Sequence, residues 1–540
     1  MFPLTLFLTS TCFATVHGYL WPSPMLDELE SLLYEITAQP PDMASFISPC
    51  DSFISGGIQT GRSNPADWIR TAYHDMATHN IADGTGGLDA SIRFAEEQAR
   101  PENAGNGFSN TLGVVAGFSS RYVSIADTIA LGTVMAVEFC GGPRIPFRGG
   151  RIDATEPNLP GVPEPDQTLD SHIASFARQG FTQQEMITLV ACGHTFGGVQ
   201  HEPFPNIVHE INDSNNTQSV AHFDTTNIHF DNNRYGNISP ARTQNPLVVG
   251  FNDTTNSDKR IFSSDGNVTM RSLHYAAKFS FANSPDLFAS SCSSLLARML
   301  DTVPRGVVLS DVITPLPVKP GNIQFSLDGD VLQFTGNVRF FNLPSNTNRI
   351  ALLLWDDHLG ATHNSTLLPS LAGTFTYQLG DVATTYRFGG DDFRGIALDA
   401  AAGIVNMQFM LDGKLQTQQD EKTVDFAVQD SVVLSSTSCF YGNNATARID
   451  VAVRLSAKTA AASVKSLYIE IEDRSSVTKS DFFAVDSSAK VNEAYTMWSV
   501  NIPGSPFNRN VGAEIDGVEV VVAKVMRTLP ALPSCDSDES

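Results

Sequence analysis

The chain has 540 residues, which is long for a single core, so its length predicts two domains. Its hydrophobic fraction of 42% and charged fraction of 17% are typical of a globular protein and exclude a disordered one. A formal charge of −24 argues against nucleic acid as a partner, because a surface that binds nucleic acid must be basic.

The N-terminus predicts a secretory signal peptide. An apolar stretch runs from Phe2 to Val16, and small and polar residues near His17 and Gly18 suit cleavage. We expect residues 1–18 to be removed and the mature protein to be extracellular. No later stretch approaches the roughly 20 apolar residues that a bilayer span needs, so no membrane span is expected.

The cysteines agree with export. Without Cys12, which lies in the signal, an even number remains, as disulfides require, and none forms a C-x-x-C pair. A Cys50–Cys140 bridge fits, Cys192 and Cys292 are either paired or free, and Cys439 and Cys535 could pair in the C-terminal half. Glycosylation sequons begin at Asn212, Asn215, Asn237, Asn252, Asn267, Asn364 and Asn444.

Hydrophobic periodicity divides the chain near residue 318. Residues 19–318 are predicted to be mainly α-helical, with helices over Met25–Ile36, Asn64–His79, Tyr122–Phe139 and Gln183–Thr195 and more helix within Arg271–Met299. Residues 319–540 alternate in period two, with Asp-Gly turns between short apolar runs and no helical interludes. That half is predicted to be an all-β, sandwich-like domain.

The segment WIRTAYHDMATH places Arg70 and His74 four residues apart, on one face of a helix. Cleavage of a peroxide needs a base that moves a proton between its oxygens and a fixed cation that stabilises the developing charge. A neutral histidine beside an arginine supplies both. Alone, this pair is more often a solvated surface pair than a catalytic one.

A second histidine ends an apolar helix in EMITLVACGHTFGG. His194 is followed by small residues that would let a flat ligand approach. Alone, such a histidine is usually a core residue. The Arg70–His74 motif precedes it by about 125 residues, and the two motifs together favour a functional site over either alternative.

Together with VSIADTIALGTVMAVEFCGGPRIPFRGGRID, these motifs make residues 45 to 315 resemble the plant, fungal and bacterial haem peroxidase superfamily. That superfamily includes the secreted fungal lignin-type enzymes and cytochrome c peroxidase. The resemblance implies the helical haem-peroxidase fold, one haem b and hydrogen peroxide as substrate. The mixture of features resembles a secreted fungal, class II-like or hybrid subfamily.

On the distal side, the resemblance makes Arg70 and His74 the catalytic pair. Asn103, in RPENAGN, would hold His74 in its basic tautomer, and Glu97 would anchor Asn103. Tyr73 stands where the family usually has Phe or Trp against the haem.

On the proximal side, the resemblance makes His194 the axial ligand of the haem iron. Asp265, in IFSSDGN, is expected to be the carboxylate that accepts the other ring N–H of His194. The other interpretation of Asp265 is a turn residue before Gly266. Phe223 occupies the place of the radical-bearing tryptophan of cytochrome c peroxidase.

Two Ca²⁺ sites are expected from the same resemblance, because hard cations bind clustered oxygen ligands. The alternative for both clusters is ordinary turn chemistry. The distal site would comprise Asp75, Gly87, Asp89 and Ser91, and the proximal site Thr195, Asp224, Thr226, His229 and Asp231.

Two specialised surface sites, through which some fungal peroxidases take electrons from their donors, are missing. The glutamates of fungal manganese peroxidases are replaced by Ser63 and Asp67, and the exposed tryptophan of lignin-type enzymes by Leu189. We therefore expect small aromatic donors, such as phenols, at a haem edge near Pro160 to Pro163.

The sequence thus favours a secreted haem peroxidase that oxidises small donors by one-electron steps. A second hypothesis is a haem-bearing cell-wall protein whose β half binds glycan and whose peroxidase activity is residual. A third is a structural wall protein that has lost haem.

Overall fold

The protein divides into two units between Pro315 and Leu316, close to the boundary expected after residue 318. One unit holds Ser23–Pro315 together with Thr376–Asp381, and the rest of the C-terminal half forms the other. The signal peptide predicted for residues 1–18 lies outside the described residues. This computed structural model describes residues 23–35, 42–53, 58–232, 243–270, 284–377, 379–389, 395–418, 422–441, 446–455, 464–473, 476–481, 492–503, 509–515, 518–522 and 532–535.

The first unit is helical, as predicted. Its shorter 3-10 turns are Met43–Phe46, Ile58–Thr60, Ser91–Arg93, Pro101–Asn103, Ala116–Phe118 and Asp253–Thr255. Two short strands, β1 (Gly198–Gln200) and β2 (Val220–His222), pair antiparallel beside them. The α-helices are α1 (Pro24–Tyr34), α2 (Asn64–Met76), α3 (Ala95–Gln98), α4 (Gly107–Val115), α5 (Ile125–Phe139), α6 (Leu169–Arg178), α7 (Gln183–Gly193), α8 (Pro246–Val249), α9 (Ser257–Ser263) and α10 (Pro285–Leu300).

Residues at the helix ends determine where the two helices that carry the histidines begin and end. Pro65 lies in the first turn of α2, where the missing N–H costs nothing. Thr182 and Glu185 form a reciprocal capping box at the start of α7, and that helix ends with His194 as its C-cap. The packing of α2 on α5 depends on Gly132, because an added Cβ there would lie 3.1 Å from the ring of Trp68.

Three disulfides are present in the part of the chain that the structure describes. Cys50–Cys140 and Cys192–Cys292 lie in the helical unit, and Cys439–Cys535 lies in the β unit. Cys192 and Cys292, for which the sequence left two alternatives, are therefore paired. Their bridge joins α7 to α10 two residues before His194.

The second unit consists of β-strands, as predicted. They are β3 (Val318–Asp328), β4 (Val331–Phe341), β5 (Ala351–Asp356), β6 (Thr362–Thr366), β7 (Leu368–Thr376), β8 (Val382–Arg387), β9 (Ile396–Asp399), β10 (Asn406–Leu411), β11 (Lys414–Leu415), β12 (Phe426–Ala427), β13 (Val432–Ser435), β14 (Cys439–Tyr441), β15 (Thr446–Arg454), β16 (Val464–Asp473), β17 (Ser476–Asp481), β18 (Tyr495–Pro503), β19 (Arg509–Ile515) and β20 (Val518–Val522).

These strands form three sheets. The largest has the order β14-β15-β13-β3-β4-β8-β7, with β18 added beside β15 and β9 beside β4. Its β13–β3 pair is parallel. The antiparallel pairs are β13–β15, β14–β15, β15–β18, β3–β4, β4–β8 and β4–β9. A second sheet has the order β11-β10-β5-β6, with β12 beside β10, and a third has the order β17-β16-β19-β20.

The β unit contains two apolar cores, one on each side of the largest sheet. Phe334 of β4 and Phe409 of β10 belong to the core between the largest and second sheets. Val451 of β15 and Val511 of β19 belong to the core between the largest and third sheets. In β13, Val433 faces the first core and Val432 the second, which explains why this strand is apolar at successive positions.

Candidate active site

Arg70 and His74 lie on one face of α2, as their spacing predicts, and both line a cavity. Arg70 donates from Nη2 to the carbonyl oxygen of Ala104 over 2.9 Å, and its guanidinium lies 4.4 Å from the centre of the Phe108 ring. Burial lowers the pKa of Arg70 to about 10, so the side chain remains a cation at neutral pH.

His74 is held by Asn103. Its Nδ1 lies 2.8 Å from Oδ1 of Asn103, and Nδ2 of Asn103 donates to the backbone carbonyl of Glu97 over 2.8 Å. Because the amide nitrogen is used by Glu97, the amide oxygen must accept from His74, so Nδ1 carries the proton and Nε2 a lone pair. Burial, and then the charge of Arg70, hold the pKa of His74 well below its usual range.

The carboxylate that binds His194 is not the predicted one. Nδ1 of His194 donates to Oδ2 of Asp258 over 2.9 Å, and Asp258 is only 1% exposed. Asp265, the residue expected in this role, instead accepts the backbone N–H groups of Val268 and Thr269 at 3.0 and 2.9 Å. Asp265 is therefore a turn residue, as the second interpretation of its sequence has it.

A helical pattern in the sequence distinguishes the two aspartates. Asp258, Ile261 and Phe262 are spaced i, i+3 and i+4 on α9, and all three are buried. A carboxylate on the apolar face of a helix needs a buried partner. Asp265 follows that helix and precedes a glycine in the left-handed region, so it belongs to the turn.

Two aromatic residues flank the histidines. Phe223 stacks on the His194 ring at 4.3 Å between centroids and 14° between planes. Tyr73 stacks on Phe176 of α6 at 5.9 Å, and burial raises the pKa of its hydroxyl. Both rings line the same cavity as the histidines.

The distal oxygen cluster assembles around Asp75. Its carboxylate accepts the backbone N–H groups of Asp89, Ala90 and Ile92 at 2.7 to 2.9 Å. Ser91 Oγ donates to it at 3.4 Å. Gly87, with a φ of +123°, donates its N–H to Thr78. Burial, and then the charge of Asp89, raise the pKa of Asp75 well above its usual range, which a nearby cation would oppose.

The proximal oxygen cluster follows His194 in the chain. Thr195 Oγ1 donates to the carbonyl oxygen of Asp231 over 3.0 Å. Thr226 Oγ1 lies 3.3 Å from Oδ1 of Asp224 and 3.2 Å from Oδ1 of Asp231, and His229 closes the loop through its N–H to Thr226. The structure thus brings this expected set together. Among the described residues, no three His, Cys, Asp or Glu side chains form a metal-binding group.

A cavity of about 460 Å³ is lined by both His74 and His194. Its volume is that of a pocket for a single organic ligand, and its walls are largely apolar. The distal wall includes Arg70, Tyr73 and His74. The remaining lining residues include Val162, Phe176, Leu189, His194, Phe196, Val199, Phe204, Phe223, Leu247, Ile261, Leu296 and Met299.

The comparisons with known proteins agree with this geometry, since residues 50–278 match the model of the peroxidase family. These residues are a domain of the plant, fungal and bacterial haem peroxidase superfamily. L-ascorbate peroxidase 5 of Arabidopsis thaliana is 35% identical over 136 residues, which are 25% of this chain and 48% of the relative. Cytochrome c peroxidase of Cryptococcus neoformans is 35% identical over 125 residues, 22% of this chain and 33% of the relative.

A longer similarity links the chain to a WSC domain-containing protein of Arthroderma benhamiae. The two are 39% identical over 324 residues, which are 59% of this chain and 43% of the relative. The chain spans less than half the length of each of these three relatives.

The residues around the cavity of this peroxidase domain suit haem. His194 presents Nε2 as the available ring nitrogen, because Nδ1 is bound to Asp258, and Phe223 and Leu189 give the cavity flat apolar walls. His194 would hold the iron, which would supply the redox chemistry, and His74 lines the same cavity as a base.

Asp67 and Leu189, which stand at the positions of the two missing surface sites, have other contacts. Asp67 is paired with Arg62 at 2.6 Å, and burial raises the pKa of Asp67. Leu189 is 3% exposed and lines the cavity, so it offers no surface position. No helix in the described part of the chain is long and apolar enough to cross a membrane.

Proposed function

We propose that the protein is a secreted haem b peroxidase that uses hydrogen peroxide to oxidise small aromatic donors in one-electron steps. The observation that carries this proposal is the pair of histidines on one cavity, each held through Nδ1. His74 donates to a neutral amide and stays a base, whereas His194 donates to a buried carboxylate and becomes a more electron-rich ligand.

The chain's own contribution to peroxide cleavage is a proton transfer and a fixed charge. Haem, when bound, supplies the iron that takes electrons from donors and passes them to peroxide. Nε2 of His74 takes the proton from one peroxide oxygen and delivers it to the leaving oxygen. The guanidinium of Arg70 stabilises the charge on that oxygen as the O–O bond breaks.

The lining of the cavity favours small neutral donors. Pro163, which belongs to the Pro160 to Pro163 segment where donors are expected, lines the cavity, as do Glu102 and Glu164. Burial, and then the charges of Asp166 and Glu102, raise the pKa of Glu164. Carboxyl groups disfavour anionic donors, whereas phenols are neutral below their pKa of about 10.

Three disulfides support an oxidising, extracellular location, because they are rare in reducing compartments. We also propose that the two oxygen clusters hold Ca²⁺. Calcium bound only by the native state would stabilise it. Exhaustive chelation should lower the melting temperature and loosen haem binding, and an unchanged melting temperature would show that the clusters are simple turns.

The β unit is proposed to set location, for example by contact with cell-wall glycan. Its support is a stacked β architecture appended to an enzyme domain and the WSC domain in the name of one relative. Co-sedimentation of the purified β unit and of the full chain with insoluble wall glycan tests this role. Recovery of both proteins in the supernatant would contradict it.

The deciding experiment is an absorption spectrum of the haem-loaded protein before and after peroxide, followed by turnover of a generic phenol. A Soret band that changes with peroxide, together with sustained turnover, is the expected result. A Soret band with negligible turnover would favour the second hypothesis, a haem-bearing glycan-binding protein. The absence of any haem uptake would favour the structural wall protein.

A further inference from the structure

Asp258 accepts a second hydrogen bond besides the one from His194. Nδ2 of Asn245 lies 2.8 Å from Oδ2 of Asp258, the same oxygen that accepts from His194 at 2.9 Å. Asn245 is 0% exposed and Asp258 is 1% exposed. One buried carboxylate oxygen is therefore shared by two N–H donors.

Asn245 is fixed in the orientation that this contact requires. Its Oδ1 accepts the backbone N–H of Leu247 over 2.9 Å, so it caps the N-terminus of α8, and the amide nitrogen must then face Asp258. Leu247 is anchored in an apolar cluster with Phe223 and Val199. The amide thus sits on a packed segment that also contacts the stacking partner of His194.

We propose that Asn245 is a positioning residue that weakens the hydrogen bond from His194 to Asp258 and so raises the reduction potential of iron held by His194. A donor on Oδ2 withdraws negative charge from that oxygen, which then pulls less on the Nδ1–H of His194. The imidazole stays closer to neutral and donates less charge to a metal on Nε2. This inference rests on the proposed function.

The test compares Asn245→Leu with Asn256→Leu in the haem-loaded full chain. Asn256 lies eleven residues after Asn245 and is buried like it. Its Nδ2 donates to the carbonyl oxygen of Gly250 at 3.2 Å. Spectroelectrochemistry should give a more negative midpoint potential for Asn245→Leu, and resonance Raman a higher iron–histidine stretching frequency. Asn256→Leu should change neither.

A second variant separates the hydrogen bond to Asp258 from the helix cap. Serine caps helices well but is too short to reach Asp258, so Asn245→Ser keeps the bond to Leu247 and loses the donor. The serine variant should reproduce the negative shift. An unchanged or more positive potential in Asn245→Ser would overturn the proposal, because the cap alone would then explain Asn245.

A cofactor-free measurement distinguishes this inference from the proposed function. In haem-free protein with ¹⁵N-labelled histidine, the Nδ1–H proton of His194 should move downfield in Asn245→Ser as its hydrogen bond strengthens. A wild-type protein that takes up no haem would refute the proposed function, while this proton shift would still report on Asn245. A proton that does not move would refute the role of Asn245 itself.

Discussion

At the scale of single residues, the site depends on what each histidine's Nδ1 contacts. Asn103 gives His74 a neutral acceptor, and Asp258 gives His194 a charged one. Both acceptors are themselves held by hydrogen bonds, to Glu97 and from Asn245 respectively. In the proposed function, this difference in charge between the two acceptors would make the His74 ring a base and the His194 ring a ligand.

Asp258→Asn should raise the iron reduction potential, because a neutral amide pulls less on the Nδ1–H of His194 than a carboxylate does. Asp265→Asn is the matched control, an aspartate seven residues away that caps a turn. It should lower stability slightly and leave the potential unchanged. Equal potentials for both variants, measured by spectroelectrochemistry, would contradict the assignment of Asp258.

His74→Leu should retain haem and slow the reaction with peroxide by at least about 10²-fold, since the base and the proton carrier are lost together. Stopped-flow absorption measures this rate directly. His209→Leu serves as a control, because His209 is exposed and stacks on Phe251. Wild-type rates in His74→Leu would exclude His74 as the base.

At the scale of elements, α7 carries the proximal histidine and is fixed at both ends. Its capping box is reinforced by Arg298 of α10, which pairs with Glu185. The Cys192–Cys292 bridge joins the same two helices near the other end of α7. Two contacts with one neighbouring helix restrict how far His194 can move.

Replacing Cys192 and Cys292 by serine should lower the free energy of unfolding by about 2–5 kcal/mol and weaken haem retention. The bridge closes a sequence separation of 100 residues. The matched control removes Cys439 and Cys535, with a separation of 96 residues in the β unit. That control should lose stability, measured by denaturation, but keep haem, measured by Soret absorbance. A loss of haem in the control alone would contradict the expected role of the α7 bridge.

Glu138 near the end of α5 should make stability depend on pH. Burial raises its pKa to about 7, although the backbone N–H of Ile145 donates to its Oε1. A raised carboxyl pKa gives a contribution that is present below about pH 4.5 and lost as pH rises through about 7. Its size is at most about 3 kcal/mol.

Glu138→Gln should therefore gain stability relative to the parent protein as pH rises from about 5 to 8. Denaturant titrations across that range measure the difference, and exposed Glu96→Gln is the control. Parallel stability curves for Glu138→Gln and the parent protein would contradict the prediction.

At the scale of the whole molecule, the residues that line the cavity all fall between Gly61 and Met299. The β unit has its own two cores and its own disulfide. The two units are not continuous in sequence, because Thr376–Asp381 belongs to the helical unit. Asp381 pairs with Arg144, and the Tyr377 hydroxyl donates to the carbonyl oxygen of Tyr34.

A protein ending at residue 318 should still bind haem and turn over small phenols, because it keeps every cavity residue. Its melting temperature should fall, since the contacts of Thr376–Asp381 are lost. Arg144→Ala with Tyr377→Phe in the full chain should reproduce part of that fall. A truncated protein that binds haem but turns over nothing would show that residues beyond 318 shape the active site.

The sequence by itself determined the helical and β-rich halves, because periods of 3.6 and 2 depend on each segment alone. The spacing of Arg70 and His74 along one helix also predicted that they share a face, and the resemblance to the haem peroxidases implied the roles of Asn103 and His194. The tertiary structure decided what lies far apart in sequence. Asp258 is 64 residues from His194. Its helical spacing with Ile261 and Phe262 indicates a buried carboxylate, but only the packing of α9 places that carboxylate on His194. Asn245, the pairing of Cys192 with Cys292, and the second core of the β unit are likewise long-range contacts, and no local pattern encodes which partner will face a given side chain.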